Sequence, residues 1–172
     1  LHLVSQLFFL AYRTGALRRV PEYECHYYVR RFIEPGDFII DIGANLGYYS
    51  VLFAGWTGET GQVYSVEPVP LYRSILHRHT EGLPQVDVIP YALGAERATV
   101  KMGIPGPDPH RHGLTQILSR EEREGVQQTF EAEVRTPEDL FGDLPRLDYV
   151  KCDVEGFEGQ VLPAMEGLLK KH

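Results

Sequence analysis

The chain has 172 residues, 43% of them hydrophobic and 24% charged, which is enough apolar material for one domain with a core. Its net charge of −7 excludes a broad basic face, so neither nucleic acid nor an anionic membrane is an expected partner. Two cysteines, Cys25 and Cys152, are too few for a disulfide scaffold, and a reducing, cytoplasmic setting is the expectation.

The opening LHLVSQLFFLAYRTGALRRV carries a helical stripe through Leu3, Leu7 and Leu10, with Val4, Phe8 and Ala11 beside it. Its apolar run is too short to span a bilayer. It predicts a helix over 3–13 that packs on its own domain, serves a partner, or forms the tail of a signal-anchor beside Arg13, Arg18 and Arg19. A second helix over 22–33 is stopped by Pro35 and Gly36. Residues 1–34 are therefore expected as an N-terminal helical segment and 35–172 as the main domain.

From there strand and helix alternate. Strands are predicted at 38–42, 62–68 and 86–92, with helices over 47–56 and 69–80 between them. Further strands are expected at ATVKMGI and TFEAEVRT, separated by the Pro- and Gly-rich stretch 105–113. Thr136 and Pro137 have the signature of a helix start, with Thr136 as N-cap. LDYVKCDV is another strand, and EGFEGQVLPAMEGLLKKH is a turn that continues as a helix. Alternation of this kind implies a parallel α/β sheet covered by helices, and such sheets bind ligands beyond the carboxyl ends of their strands. The two HRH triplets, at 77–79 and 110–112, lack a companion zinc pattern and are expected on loops or helix surfaces, with no metal site.

Two constellations carry chemistry. In DFIIDIGANLGYYS an apolar strand ends in Asp41 and runs into Gly43, Asn45 and Gly47, a turn that lets a ligand approach the backbone and offers helix N–H groups. The spacing departs from the G-x-G-x-x-G of dinucleotide folds, and Asp41 would repel a pyrophosphate but attract an amine. Glu67, at the tip of the next strand, is positioned to accept from a ribose diol. A nucleoside with a cationic tail and no phosphate satisfies all three features, and S-adenosylmethionine is such a molecule. In YVKCDVEGFE, alternation puts Tyr149, Lys151 and Asp153 on one face, with Asp153 and Glu155 at the strand's carboxyl end. Such acids could orient or deprotonate a hydroxyl, or hold a divalent cation, or merely pair with Lys151 at a strand end.

Together these motifs resemble the FkbM family of S-adenosylmethionine-dependent methyltransferases. PGDFIIDIGANLGYYS is similar to its first motif, GQVYSVEPVP to the second-strand motif, VIPYALGA to the segment after the third strand, and LDYVKCDVEGFEGQVLPAM to its Lys-x-Asp-x-Glu-Gly-x-Glu signature. At VRTPEDLF, Pro137 and Glu138 replace part of the usual threonine-leucine-aspartate stretch. The likeness spans about residues 22–169. It implies a Rossmann-like class I methyltransferase sheet and O-methylation of a hydroxyl on a sugar or natural-product acceptor, with S-adenosylhomocysteine as coproduct.

Carried over, Asp41, Gly43, Asn45 and Gly47 line the methionine side of the cofactor, Glu67 the ribose and Ala92 the adenine, with Ser50 and Pro68 also among the cofactor-binding residues. Glu24 closes the pocket from the N-terminal helix. Asp153, Glu155 and Lys151 form the catalytic group, and Gly113 and Thr115 fall in a loop near the substrate. The family's sheet continues beyond the signature helix, so the expected architecture is a sheet truncated after its fourth parallel strand and the following helix. A fragment, a natural short form, or a form completed by a partner chain would each produce this, and a homo-oligomer is compatible with it. A non-catalytic domain that binds S-adenosylmethionine and a dinucleotide-binding oxidoreductase are the two alternative functions.

Overall fold

A strand reading Phe-Ile-Ile-Asp-Ile has almost no polar face, which is the pattern of a strand covered on both sides. The computed structural model describes residues 2–105, 116–117 and 126–172. Its strands are β1 (Phe38–Ile42), β2 (Gln62–Val66), β3 (Val86–Ile89), β4 (Ala92–Leu93), β5 (Ala98–Pro105), β6 (Gln116–Ile117), β7 (Val126–Arg135) and β8 (Tyr149–Cys152). Its helices are α1 (His2–Arg13), α2 (Pro21–Tyr28), α3 (Tyr48–Thr57), α4 (Pro70–Thr80), α5 (Pro137–Phe141), α6 (Glu158–Ala164) and α7 (Glu166–Lys171).

The architecture is α/β, with a four-stranded sheet in the order β3-β2-β1-β8 and every pair parallel. Alternation along β1 divides the core. Ile40 and Ile42 join Val66, Phe141, Val161, Met165 and Leu168 under α5, α6 and α7. Ile39 faces the other way, with Phe53 and Ala54 of α3 and Val63 of β2. Outside α3 lies a third cluster, in which Phe9 and Tyr12 of α1 bury against Val51 and Leu52. The N-terminal segment thus shares its core with the helix that follows the glycine turn. None of the described helices is long and apolar enough to cross a membrane.

Four expectations need correction. The third strand does not run from 86 to 92: β3 stops at Ile89, and Ala92–Leu93 belongs to a different sheet. Pro90 lies at the break, where a residue with no N–H cannot continue a ladder. The strands expected at ATVKMGI and TFEAEVRT do not extend the parallel sheet but belong to a second four-stranded one, β4-β7-β5-β6. Helix 22–33 is α-helical only to Tyr28 and tightens to a 3-10 turn over Val29–Phe32, a common way for a helix to end. The last helix is two, because Pro163 cannot donate within the ladder and α6 ends at Ala164. The start at Thr136 is as expected, with a capping box in which Thr136 and Asp139 each accept from the other's backbone N–H.

Phe53 has no exposed surface and joins α3 to the sheet, whereas Leu71 is 52% exposed. Phe53→Ala is expected to lose about 3–5 kcal/mol of unfolding free energy in urea titration, and Leu71→Ala within about 0.5 kcal/mol. Comparable losses at the two positions would contradict this packing.

Candidate active site

The carboxyl ends of β1, β2 and β8 meet at one cleft, whose wall includes Gly43, Asn45, Glu67, Lys151, Asp153 and Glu155. Each reaches it for a local reason. Gly43 (φ 74°), Asn45 (φ 53°) and Gly47 (φ 94°) all have left-handed backbone. Glycine adopts that conformation freely, and asparagine tolerates it better than most residues. A Cβ on Gly43 would come within 1.9 Å of the Asp153 carbonyl oxygen, so the turn also needs glycine for close approach to the chain leaving β8.

The turn does not present a row of open N–H groups. Those of Gly43 and Ala44 both donate to the Val66 carbonyl at 3.0 Å, and that of Gly47 donates to Ala44 at 2.9 Å. The Asn45 N–H donates to Glu67 Oε2 at 2.7 Å. Glu67 Oε1 accepts from the Val69 N–H at 2.8 Å, so one carboxylate clamps the glycine turn to the loop after β2. Each oxygen keeps a further lone pair for a ligand. Only 3% of Glu67 is exposed, and burial pushes its carboxyl up to about 7 against the downward pull of those two N–H groups.

Asp41 lies beneath the cleft wall with no exposed surface. Its Oδ2 accepts from the Ser50 hydroxyl at 2.7 Å, and Ser50 accepts from the Ser65 hydroxyl at 2.9 Å. Its Oδ1 lies 3.4 Å from Lys151 Nζ. Lys151 also donates to the Gly43 carbonyl at 3.0 Å, lies 3.5 Å from Asp153, and sits 5.2 Å above the Tyr49 ring. Its ammonium therefore bridges the buried acid below and the cleft above. At the mouth, Glu155 (φ 53°) is a non-glycine residue in left-handed backbone, followed by Gly156 (φ 100°). Glu158 holds that turn by accepting from the N–H groups of Val154 (2.9 Å) and Gly156 (3.0 Å). Burial, and then Asp153, raise the carboxyl of Glu155 above its ordinary value.

The expected residues divide accordingly. Gly43, Asn45, Glu67, Pro68, Lys151, Asp153 and Glu155 meet at the cleft. Asp41 and Ser50 are buried behind it, and Gly47 packs against Leu76 as the residue that starts α3. Ala92 lines a smaller apolar recess that shares Gly43, Pro68 and Met102 with the cleft. Glu24 is exposed on α2 and forms no part of either wall; α2 instead contributes His26. Gly113 and Thr115, with the second HRH triplet, lie outside the described residues. In the first triplet His79 turns inward, stacked on Phe9 with its ring nitrogen 2.8 Å from the Leu46 carbonyl, rather than lying on the helix surface.

Sequence reasoning missed His26, Tyr49 and Met102. No spacing rule ties them to the motifs, although Tyr49 lies inside the first one. Among the described residues no three His, Cys, Asp or Glu side chains form a group that could hold a metal ion, and both cysteines are free thiols.

A family model described as the methyltransferase FkbM domain matches residues 41–172. No curated protein matches the chain. Solved structures share part of it. A putative rRNA methylase from Clostridium thermocellum is 21% identical with a TM-score of 0.38, over 40% of this chain and 39% of its own. Fibrillarin from Aeropyrum pernix with bound S-adenosyl-L-methionine is 21% identical with a TM-score of 0.35, over 36% and 26%. An S-adenosylmethionine-dependent O-methyltransferase from Thermotoga maritima is 21% identical with a TM-score of 0.37, over 39% and 27%. The chain thus spans well under half the length of each.

The raised carboxyl of Glu67 has a signed consequence. Between about pH 4.5 and 7 the folded chain keeps a proton that the unfolded chain has released, so stability falls as pH rises through that window and levels off above it. Urea titrations across the window are expected to show a fall of roughly 3 kcal/mol in the wild type that Glu67→Gln lacks. Parallel pH profiles for the two proteins would refute this account of Glu67.

Proposed function

We propose, from the premise that the chain belongs to the FkbM methyltransferase domain family, that it moves a methyl group from S-adenosylmethionine to a hydroxyl of a sugar or natural-product acceptor. The observation that carries the reading is the convergence of Glu67, the glycine turn, and the pair Asp153 and Glu155 on one cleft. The chain's own groups fit the cofactor. Spare lone pairs on Glu67 suit a ribose diol, and the recess formed by Ala92, Leu93 and Met102 suits a flat apolar base. The acidic cleft suits an amine. The turn's N–H groups at 43, 44, 45 and 47 are engaged by the protein, which counts against a pyrophosphate and so against a dinucleotide.

When bound, S-adenosylmethionine supplies a methyl group on a sulfonium, a good leaving group, so the protein's main tasks are alignment and the removal of one proton. Glu67 and the recess at Ala92 and Met102 would hold that cofactor, and the acceptor hydroxyl would give up one proton as it took the methyl group. The hydroxyl proton goes to Asp153 or Glu155, whichever lies nearer the acceptor. Asp153 has the exposed carboxylate, its side chain 61% accessible beside Lys151. Lys151, tied to Asp41 and to the Gly43 carbonyl, holds Asp153 in place.

Calorimetry of S-adenosylhomocysteine against the whole chain, with NAD as control, tests the reading. Micromolar binding of the nucleoside and none of NAD is expected. Glu67→Ala is expected to weaken it by about 1–3 kcal/mol. Asp153→Asn should leave that affinity largely intact and lower turnover on any acceptor found. Loss of cofactor binding in the Asp153 variant with none in the Glu67 variant would reverse these roles.

A further inference from the structure

One wall of the cleft comes from α2, and its polar group is His26. The ring is fixed from behind. Its Nδ1 lies 2.6 Å from the hydroxyl of Tyr12, a residue with no exposed surface. A buried phenol needs an acceptor for its proton, and among the described residues that hydroxyl has no hydrogen-bond partner but His26. Tyr12 therefore donates to Nδ1, and the hydrogen of the neutral imidazole resides on Nε2. Burial of Tyr12 keeps its phenol protonated, in keeping with that direction. Burial, and then Lys151, also hold His26 below its ordinary value, against the weaker pull of Asp153, so the ring is neutral at neutral pH.

The ring's surroundings set its ligand. His26 lies 4.7 Å from the Tyr49 ring, and Lys151 Nζ lies 5.2 Å from that same ring. Burial pushes Tyr49 up to about 12, so it too stays a neutral phenol. The wall also carries the phenols of Tyr48 and Tyr72 and three carboxyl groups, those of Glu67, Asp153 and Glu155. An anion in this cleft is disfavoured beside the acids and meets side-chain N–H donors at His26 and Lys151. An ammonium group has no lone pair for an Nε2–H.

We propose that His26, beside Lys151, is the subsite for the carboxylate of the cofactor's amino-acid tail, with the tail's ammonium turned toward the acids. This rests on the S-adenosylmethionine reading above. It also leaves proton removal to the carboxyls, because an Nε2–H cannot accept a proton.

Truncating the ligand tests it. 5′-Methylthioadenosine keeps the nucleoside and the thioether but lacks the amino-acid tail. Calorimetry of both nucleosides against the whole chain is expected to show His26→Phe weakening S-adenosylhomocysteine about tenfold or more, with 5′-methylthioadenosine unchanged within about twofold. His26→Asn, which keeps an N–H donor, should recover part of the loss. Tyr12→Phe, which frees the tautomer, should weaken S-adenosylhomocysteine alone. Unchanged 5′-methylthioadenosine binding certifies that each variant is folded. The subsite is overturned if His26→Phe leaves S-adenosylhomocysteine unaffected, or if variants that still melt cooperatively lose both nucleosides equally. If neither nucleoside binds the folded wild-type chain, the cofactor reading itself fails and the subsite falls with it.

Discussion

Asp41 is an acid with no contact with water in the middle of a parallel sheet, and that position is tenable only with compensating partners, a hydrogen bond at one oxygen and the Lys151 ammonium 3.4 Å from the other. The partners come from all the neighbouring elements. Ser50 of α3 donates to it, Ser65 of β2 donates to Ser50, and Lys151 of β8 faces its other oxygen. The register explains why they coincide, since Asp41 is level with Ser65 on one side and with Lys151 on the other. Removing one partner of a buried charge typically costs about 3–5 kcal/mol, so this cluster fixes β8 beside β1 in one register. With Lys151 held there, its ammonium reaches the Gly43 carbonyl and the edge of the cleft. A structural necessity of the sheet thereby fixes the height of a charge in the site.

Two other carboxylates solve a different problem. Left-handed turns at the ends of β1 and β8 point backbone N–H groups away from any ladder, and such groups need acceptors. Glu67 takes the N–H groups of Asn45 and Val69; Glu158 takes those of Val154 and Gly156. Both clamps hold strained backbone in place, at Asn45 in one turn and Glu155 in the other. The clamps differ in burial. Glu67 is almost wholly buried and its carboxyl rises, whereas the half-buried Glu158 is lowered mainly by its backbone hydrogen bonds. The same device therefore accompanies a raised carboxyl at one turn and a lowered one at the other.

How much of this was legible follows from the range of each interaction. The parallel sheet and the glycine turn are local signals: an apolar strand, then a glycine that a Cβ could not replace. Glu67, Lys151, Asp153 and Glu155 were accessible because strand alternation and strand ends are also local. The second sheet was not, because its β4 is two residues long and pairs with β7 some forty residues later. The interruption at Pro90 was visible in the sequence, yet an apolar run on either side of it still looks like one strand. Asp41 was expected on the cofactor's side; its burial depends on Ser50 and Lys151 arriving from other elements, which no local pattern encodes. His26 was invisible for the same reason, since its neighbour Tyr12 is on another helix.

The cleft is thus assembled from segments that share no element. One wall is His26 on α2, the floor is the turn after β1, another wall is the chain after β8, and Met102 of the second sheet lies between the cleft and its apolar recess. The α2 wall depends on aromatic packing: Tyr12 lies edge-on to His26 and to Tyr48, while Tyr27 donates to the Tyr12 carbonyl. The family match begins at Asp41, after all of α1 and α2. Gly43, Asn45, Glu67, Lys151, Asp153 and Glu155 therefore lie in the matched domain, and His26 lies outside it. The chemistry of that wall follows from which residues α1 brings to α3 and α2, since the buried Tyr12 phenol that packs on α3 is also the hydrogen-bond partner of the imidazole Nδ1 of His26.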